Sequence, residues 1–216
     1  MANIDVAQTV VIFIVLLFSL TVHEAAHAWS SSLMGDQTAR GLGRVSLNPA
    51  VHIDPIGTIL FPLIAIVTNV PVLGWAKPVP VNVGNLHGNW RQKFMVIAAA
   101  GPASNLVIAA VSAVLLAVLP LSSTEVAEGA LVVGAPLRAL LRAGVILNVF
   151  LAVFNMIPIP PLDGGNVASG LLTGAAARAY DGLRPYGFFI LYALMFSGTL
   201  DRLIGPPAEF LLSVLL

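Results

Sequence analysis

The sequence predicts an all-α polytopic membrane protein of about five to six membrane segments, and three observations predict it. Of its 216 residues 58% are hydrophobic and only 9% charged, against about 25% charged in an ordinary soluble domain. The apolar residues fall in runs near the roughly 20 residues that cross a bilayer as a helix. The few basic residues collect beside some of these runs and not others, as the rule for short cytoplasmic loops requires. The length suits one membrane-embedded domain over 1–216, with no room for an added soluble module. Formal net charge is zero and Lys and Arg are scattered, so no basic patch offers itself to nucleic acid.

Segment one, 7–33, is long enough to span. Its N-terminal flank lacks the positive region and cleavage site of a removable signal peptide, so it is expected to stay in the mature protein. A second stretch, 56–76, is interrupted by Pro62, Asn69 and Pro71. A third, 93–120, carries a run of small residues over 98–103 that suits close helix packing. A fourth, 137–158, ends at Pro158. Two shorter apolar pieces follow, 185–200 and 203–216, separated by Asp201 and Arg202.

Arg40 and Arg44 follow segment one, Lys77, Arg91 and Lys93 precede the third, and Arg178 and Arg184 follow the fourth, while 121–135 holds Glu125 and Glu128. This places the N-terminus outside, 34–55 and 77–93 inside, 121–135 outside and 159–184 inside. Basic flanks on both sides of 56–76 argue for a re-entrant loop, because irregular backbone at membrane depth survives only where protein or a wet cavity shelters it. Val79-Pro80-Val81-Asn82-Val83 alternates like an edge strand, which predicts a short β-like hairpin near 77–84. The location expected is a prokaryotic cytoplasmic (inner) membrane.

The chemistry lies in His23-Glu24-Ala25-Ala26-His27. On a helix, His at i and i+4 share a face, so both imidazoles reach one zinc while the Glu stands beside them to take a proton from water. Ionisable groups at membrane depth each cost about 2.5–3.5 kcal/mol on insertion scales and are usually functional. Three at ligand spacing are hard to explain as helix glue. The chain has no cysteine, so a metal here must be held by His and carboxylate.

Catalytic zinc takes three protein ligands and leaves a position for water. His52 and His87 sit in polar connections and are weak candidates for the third ligand. Asp163 is the better one: it follows the fourth segment on the same predicted side as His27, after prolines that stop the helix. Asp-Gly is also ordinary turn chemistry; the need for a ligand favours the metal.

H-E-x-x-H in a membrane helix together with a downstream N-x-x-P-x-x-P-L-D-G-G, here Asn155 to Gly165, resembles the site-2 proteases, which cleave transmembrane substrates. Gly101-Pro102-Ala103-Ser104-Asn105 is similar to that family's G-P-x-x-N. Leu47-Asn48-Pro49 and Gly74-Trp75-Ala76-Lys77-Pro78-Val79-Pro80 look like the small bacterial and archaeal branch, which lacks PDZ and CBS domains. These elements run from about residue 20 to 170. The resemblance implies an intramembrane zinc metalloprotease with one Zn2+ per chain held by His23, His27 and Asp163, Glu24 as general base, and Asn155 holding substrate or the reacting carbonyl. The implied partners are a transmembrane protein substrate and the lipid bilayer. Asn105 reads two ways, as a group that polarises a substrate carbonyl or as a bond to a neighbouring helix. Trp75 and Lys77 read as interface anchors. The rivals to a protease are a metal transporter or sensor, which would spread its ligands along a path, and an inactive scaffold, which has no need of Glu24.

Overall fold

The computed structural model describes residues 6–61, 64, 74–119 and 134–216. Three long helices form its frame: Val6–Leu33 (α1), Trp90–Val118 (α3) and Gly134–Asn155 (α4), with a four-residue helix, Thr38–Gly41 (α2), after the first. At 1.5 Å per residue they rise about 42, 43 and 33 Å, enough for a hydrocarbon layer about 30 Å thick. Each is long and apolar enough to cross a membrane, and the protein is a multi-pass membrane protein.

Side-chain pairings set the helix directions. His23 meets Asn105 while His27 meets Ile97, so α1 and α3 run antiparallel. Asn105 meets Asn148 while Gly144 packs on Ser112, so α3 and α4 are antiparallel too. The C-terminal end of α1, the N-terminal end of α3 and the C-terminal end of α4 therefore gather at one end of the bundle. Ala98, Gly101, Ala109 and Ala113 of α3 are buried. Small side chains there let the backbones approach, which in lipid replaces the missing hydrophobic drive between helices.

Past α4 the chain breaks at Pro158 and forms four short helices, Asp163–Leu171 (α5), Gly174–Asp181 (α6), Gly187–Phe196 (α7) and Thr199–Leu215 (α8). Arg91 ties the start of α3 to α5 and α6, donating to Ser169 Oγ at 3.1 Å and to Asp181 Oδ2 at 2.7 Å. Ile157, Leu162, Leu191 and Leu200 form one apolar cluster beneath this cap. Ala109, Val149 and Ala208 form another, along α8.

Two expectations need correction. In place of five to six segments, the described residues hold three helices long enough to span, or four if the stretches Gly174–Phe196 and Thr199–Leu215, bent by 81°, are counted as one broken span. In the apolar pieces 185–200 and 203–216, Leu191, Leu200 and Ala208 are buried while Phe189, Phe196, Phe210 and Val214 stay exposed, and α7, with ten residues, rises only about 15 Å. The hairpin near 77–84 is absent: among the described residues 74–82 form neither helix nor paired strand, and a 3-10 turn follows at Val83–Asn85. The re-entrant reading of 56–76 falls mostly outside the described residues; its start forms a π-helical turn, Pro55–Leu60.

Side chains rather than a partner strand hold the 74–82 segment. Arg44, 4% exposed, donates to the carbonyls of Val51, Lys77 and Pro78. The Lys77 amide donates to His52 O at 2.8 Å, and Thr58 Oγ1 to Trp75 O at 2.8 Å. Asp36, in the turn after α1, accepts from the Asn82 amide and Asn85 Nδ2, both at 2.8 Å, and from Thr38 Oγ1 at 2.6 Å. Burial pushes the Asp36 carboxyl up, but the bonds from Thr38, Asn85 and Asn82 outweigh it and hold it at about 2. A carboxylate depressed from 3.8 contributes stability that is complete above about pH 4 and fades as pH falls toward 2. Asp36→Asn, which does not titrate, is expected to lower Tm by several degrees at pH 7, with the gap to wild type closing between pH 4 and pH 2. A gap that stays constant with pH would mean the carboxylate charge does not hold this segment.

Candidate active site

His23 and His27 stand one turn apart on α1, 5% and 8% exposed, their rings edge to face with centroids 4.7 Å apart. Asp163 is brought to them by the first turn of α5. Its two following glycines make that possible. A Cβ on Gly165 would lie 2.6 Å from Pro160 N, and one on Gly164 would strike the Met156 and Ile157 backbone. The chain can thus fold back on its own proline-rich turn only with hydrogen at both positions. Asp-Gly here is the start of a helix rather than a surface turn.

The three potential donor atoms form a nearly equilateral triangle. His23 Nε2 lies 3.1 Å from His27 Nε2 and 3.1 Å from Asp163 Oδ2, and His27 Nε2 lies 3.3 Å from Asp163 Oδ2. A tetrahedral zinc with bonds of about 2.0–2.1 Å separates its ligands by about 3.3 Å. Asp163 Oδ2 is buried and has no hydrogen-bond partner, a costly state for a carboxylate oxygen unless a cation completes it. Among the described residues His23, His27 and Asp163 are the one group of His, Cys, Asp and Glu side chains close enough to share an ion.

The surroundings fix how both rings present themselves. The Ile97 carbonyl can only accept, so His27 Nδ1–H donates to it at 2.8 Å and Nε2 keeps its lone pair toward Asp163. His23 Nδ1 lies 2.6 Å from Asn105 Oδ1, the arrangement that orients imidazole ligands in zinc sites. Gly101 faces both rings: a Cβ there would sit 2.6 Å from His23 Nε2 and closer still to His27 Nε2.

This cluster lines a cavity of about 620 Å³, within the usual range for ligand sites, roughly 300–1,000 Å³. Glu24, 9% exposed, lines it beside the histidines, and Asn155 lines it from the end of α4, its Nδ2 donating to Leu151 O at 2.9 Å. Phe94, Ile97, Phe154 and Phe188 supply apolar wall, and the 74–82 segment lines one side through Trp75, Ala76, Pro78, Val79 and Val81. Trp75 stacks edge-on against Phe61 and also meets Phe188, with centroids at 5.0 and 5.9 Å.

Asn105 stands elsewhere than a substrate contact would need to be. It is fully buried behind His23, outside the cavity lining, with its amide spent on His23 and Asn148. Asn148 and Ser19, also fully buried, escaped the sequence reading, although an asparagine in the middle of an apolar helix was a signal. Beyond their place in motifs that resemble the family's, Gly101 shows in the sequence as a packing residue and Trp75 as an interface anchor; the structure sets the first against both histidines and the second in the cavity wall. His52 is buried against Ser46 O, and His87 lies in the exposed loop before α3; neither joins the cluster.

Two imidazoles and one carboxylate beside a cavity make a donor set that fits catalytic zinc, here among helices long enough to cross a membrane. The comparisons agree. The family description "Peptidase family M50" matches residues 120–197, the part that carries Asn155 and Asp163. "Putative zinc metalloprotease YwhC" of Bacillus subtilis is 34% identical over 181 residues, 84% of this chain and 78% of that protein. "Putative zinc metalloprotease Rip2" of Mycolicibacterium smegmatis is 30% identical over 86% of this chain and 66% of its own length, and its Mycobacterium tuberculosis namesake is 26% identical over the same shares. No solved structure matches. The chain belongs to peptidase family M50 and is a zinc metalloprotease.

Proposed function

We propose that this protease hydrolyses peptide bonds of transmembrane-helix substrates inside the membrane, as in regulated intramembrane proteolysis, with one zinc held by His23, His27 and Asp163. The observation that carries this is the near-equilateral donor triangle opening into an apolar-walled cavity at the ends of spanning helices. A metal transporter would string its ligands across the bilayer; these gather at one depth. Arg40, Lys77, Arg91, Lys93, Arg178 and Arg184 lie at the same end of the bundle and outnumber Arg138 and Arg142 at the other, which supports a cytoplasmic-facing site in an inner membrane. Ten residues from His23 to Leu33 place the site about 15 Å below the end of α1, shallow enough for water to enter from that side.

Zinc in such a site supplies a Lewis acid that polarises the scissile carbonyl and acidifies water. Glu24 accepts the proton that water gives up and delivers it to the leaving amine. His23 and His27 are held in orientation through their Nδ1–H donors. Asn155 meets the substrate in the cavity, where its side chain can engage backbone polar groups of an unwound peptide. Ala76, Pro78, Val79 and Val81 line the same cavity without a partner strand, which leaves this stretch free to receive a peptide edge to edge. Asn105 serves His23 rather than substrate.

Metal content tests the ligand set and cleavage tests the activity. Purified wild type in detergent is expected to carry about one zinc per chain by mass spectrometry and Asp163→Ala only a small fraction of that, since a lost ligand is not replaced. Wild type is expected to cut a reconstituted transmembrane peptide bearing helix-breaking residues. Zinc retained in full by Asp163→Ala would remove Asp163 from the site, and failure to cut any transmembrane peptide while cutting a soluble one would remove the membrane substrate.

A further inference from the structure

We infer that Asn148, two hydrogen bonds away from the metal site on α4, is a positioning residue that fixes the ring orientation and tautomer of His23. The inference rests on the reading of His23 as a zinc ligand. It starts from a carbonyl. Asn148 Nδ2 lies 2.8 Å from the backbone oxygen of Gly144, which can only accept. The nitrogen end of the Asn148 amide must therefore face Gly144, and it donates also to Ser19 Oγ at 2.9 Å. That leaves Asn148 Oδ1 as an acceptor, and Asn105 Nδ2 donates to it at 2.8 Å. Asn105 Nδ2 faces a second carbonyl as well, that of Ser19, at 3.5 Å. Asn105 Oδ1 is then the end that meets His23 Nδ1 at 2.6 Å. An amide oxygen cannot donate, so His23 carries its proton on Nδ1 and presents a bare Nε2 to the ion.

The order of donors is thus dictated from Gly144 to His23 with no free choice along the way. Ser19, Asn105 and Asn148 are each 0% exposed, so no bulk water can substitute for a missing partner. A buried amide in a helix bundle can also serve merely to join helices. Joining α3 to α4 needs a hydrogen bond of either polarity. Holding His23 as a ligand needs this polarity, and an outer partner of a ligating imidazole is typically worth about 10–100-fold in metal affinity.

The test is zinc affinity measured by chelator competition on the full-length protein in detergent. Asn148→Leu, similar in size and without polar atoms, is expected to bind zinc about 10-fold or more weakly than wild type. Asn148→Asp, which as the neutral acid donates to Gly144 O and still accepts from Asn105, is expected to restore affinity to within about threefold, on the same donor inventory. Val149→Ala, at the adjoining fully buried position, serves as the folding control: it is expected to lower Tm while leaving zinc affinity unchanged. His23→Gln checks the underlying reading, and is expected to lose zinc outright. If Asn148→Leu holds zinc like wild type, or Val149→Ala loses it equally, or Asp fails to restore what Leu removes, the positioning role is overturned. If His23→Gln retains zinc, it is the ligand reading that has failed instead.

Discussion

Glu24→Gln is expected to abolish cleavage while leaving about one zinc per chain in place, with kcat lower by about 10²–10⁴-fold, the usual worth of a positioned general base. Glutamine keeps the size and polarity of the side chain, so the cavity wall and the helix are undisturbed. It removes the one property the mechanism needs, a basic oxygen beside the ion. The three donor atoms belong to His23, His27 and Asp163, so none is lost with the carboxylate. Zinc content and turnover measured on one preparation decide between the possibilities. Full activity would exclude Glu24 as the proton carrier, and loss of zinc together with activity would make it part of the metal site.

Gly101→Ala is expected to empty the site without unfolding the protein. A Cβ at 101 would lie 2.6 Å from His23 Nε2 and nearer still to His27 Nε2, well inside contact distance, so both imidazoles would have to swing away from Asp163. Neither ring can turn freely, because His23 is tied to Asn105 and His27 to the Ile97 carbonyl. Alanine otherwise favours a helix over glycine by about 1 kcal/mol, so helix content is expected to hold. The prediction is loss of most bound zinc and an equal loss of activity. Gly205→Ala is the control, since a Cβ there meets nothing within 4 Å and is expected to change neither. Zinc bound normally by Gly101→Ala would mean that the histidines do not converge on this glycine.

Much of the site was legible because its chemistry is local. His23, Glu24 and His27 lie on a single helical turn and a half, where the spacing alone puts the two imidazoles on one face. Asp163 stood out for a different reason: a site with two ligands needs a third, and Asp163 follows the fourth segment on the same predicted side as His27; the structure brings it within 3.3 Å of both histidines. Asn105 illustrates the limit. Its presence in a helix marked it, but whether it faces the cavity or a neighbour depends on the rotation of α3 against α1 and α4, which no local pattern encodes. The short apolar pieces after Pro158 misled for a similar reason. Hydrophobicity reports that a segment avoids water, but not that the chain bends by 81° between two such segments, which are long enough to span only when taken together.

By itself, then, the sequence determined the membrane class and the H-E-x-x-H motif, and singled out Asp163 as the candidate third ligand, because composition, helical spacing and the scarcity of charge act residue by residue. Only the tertiary structure decided the unpaired wall held by Arg44 and Asp36, and the route from Gly144 through Asn148 and Asn105 to His23. The wall is held by contacts between residues 33 to 49 positions apart, and the route crosses between helices through residues 43 and 82 positions apart. Such contacts arise where small side chains let three helices close together, and a buried amide takes its direction from whichever carbonyl the packing sets against it.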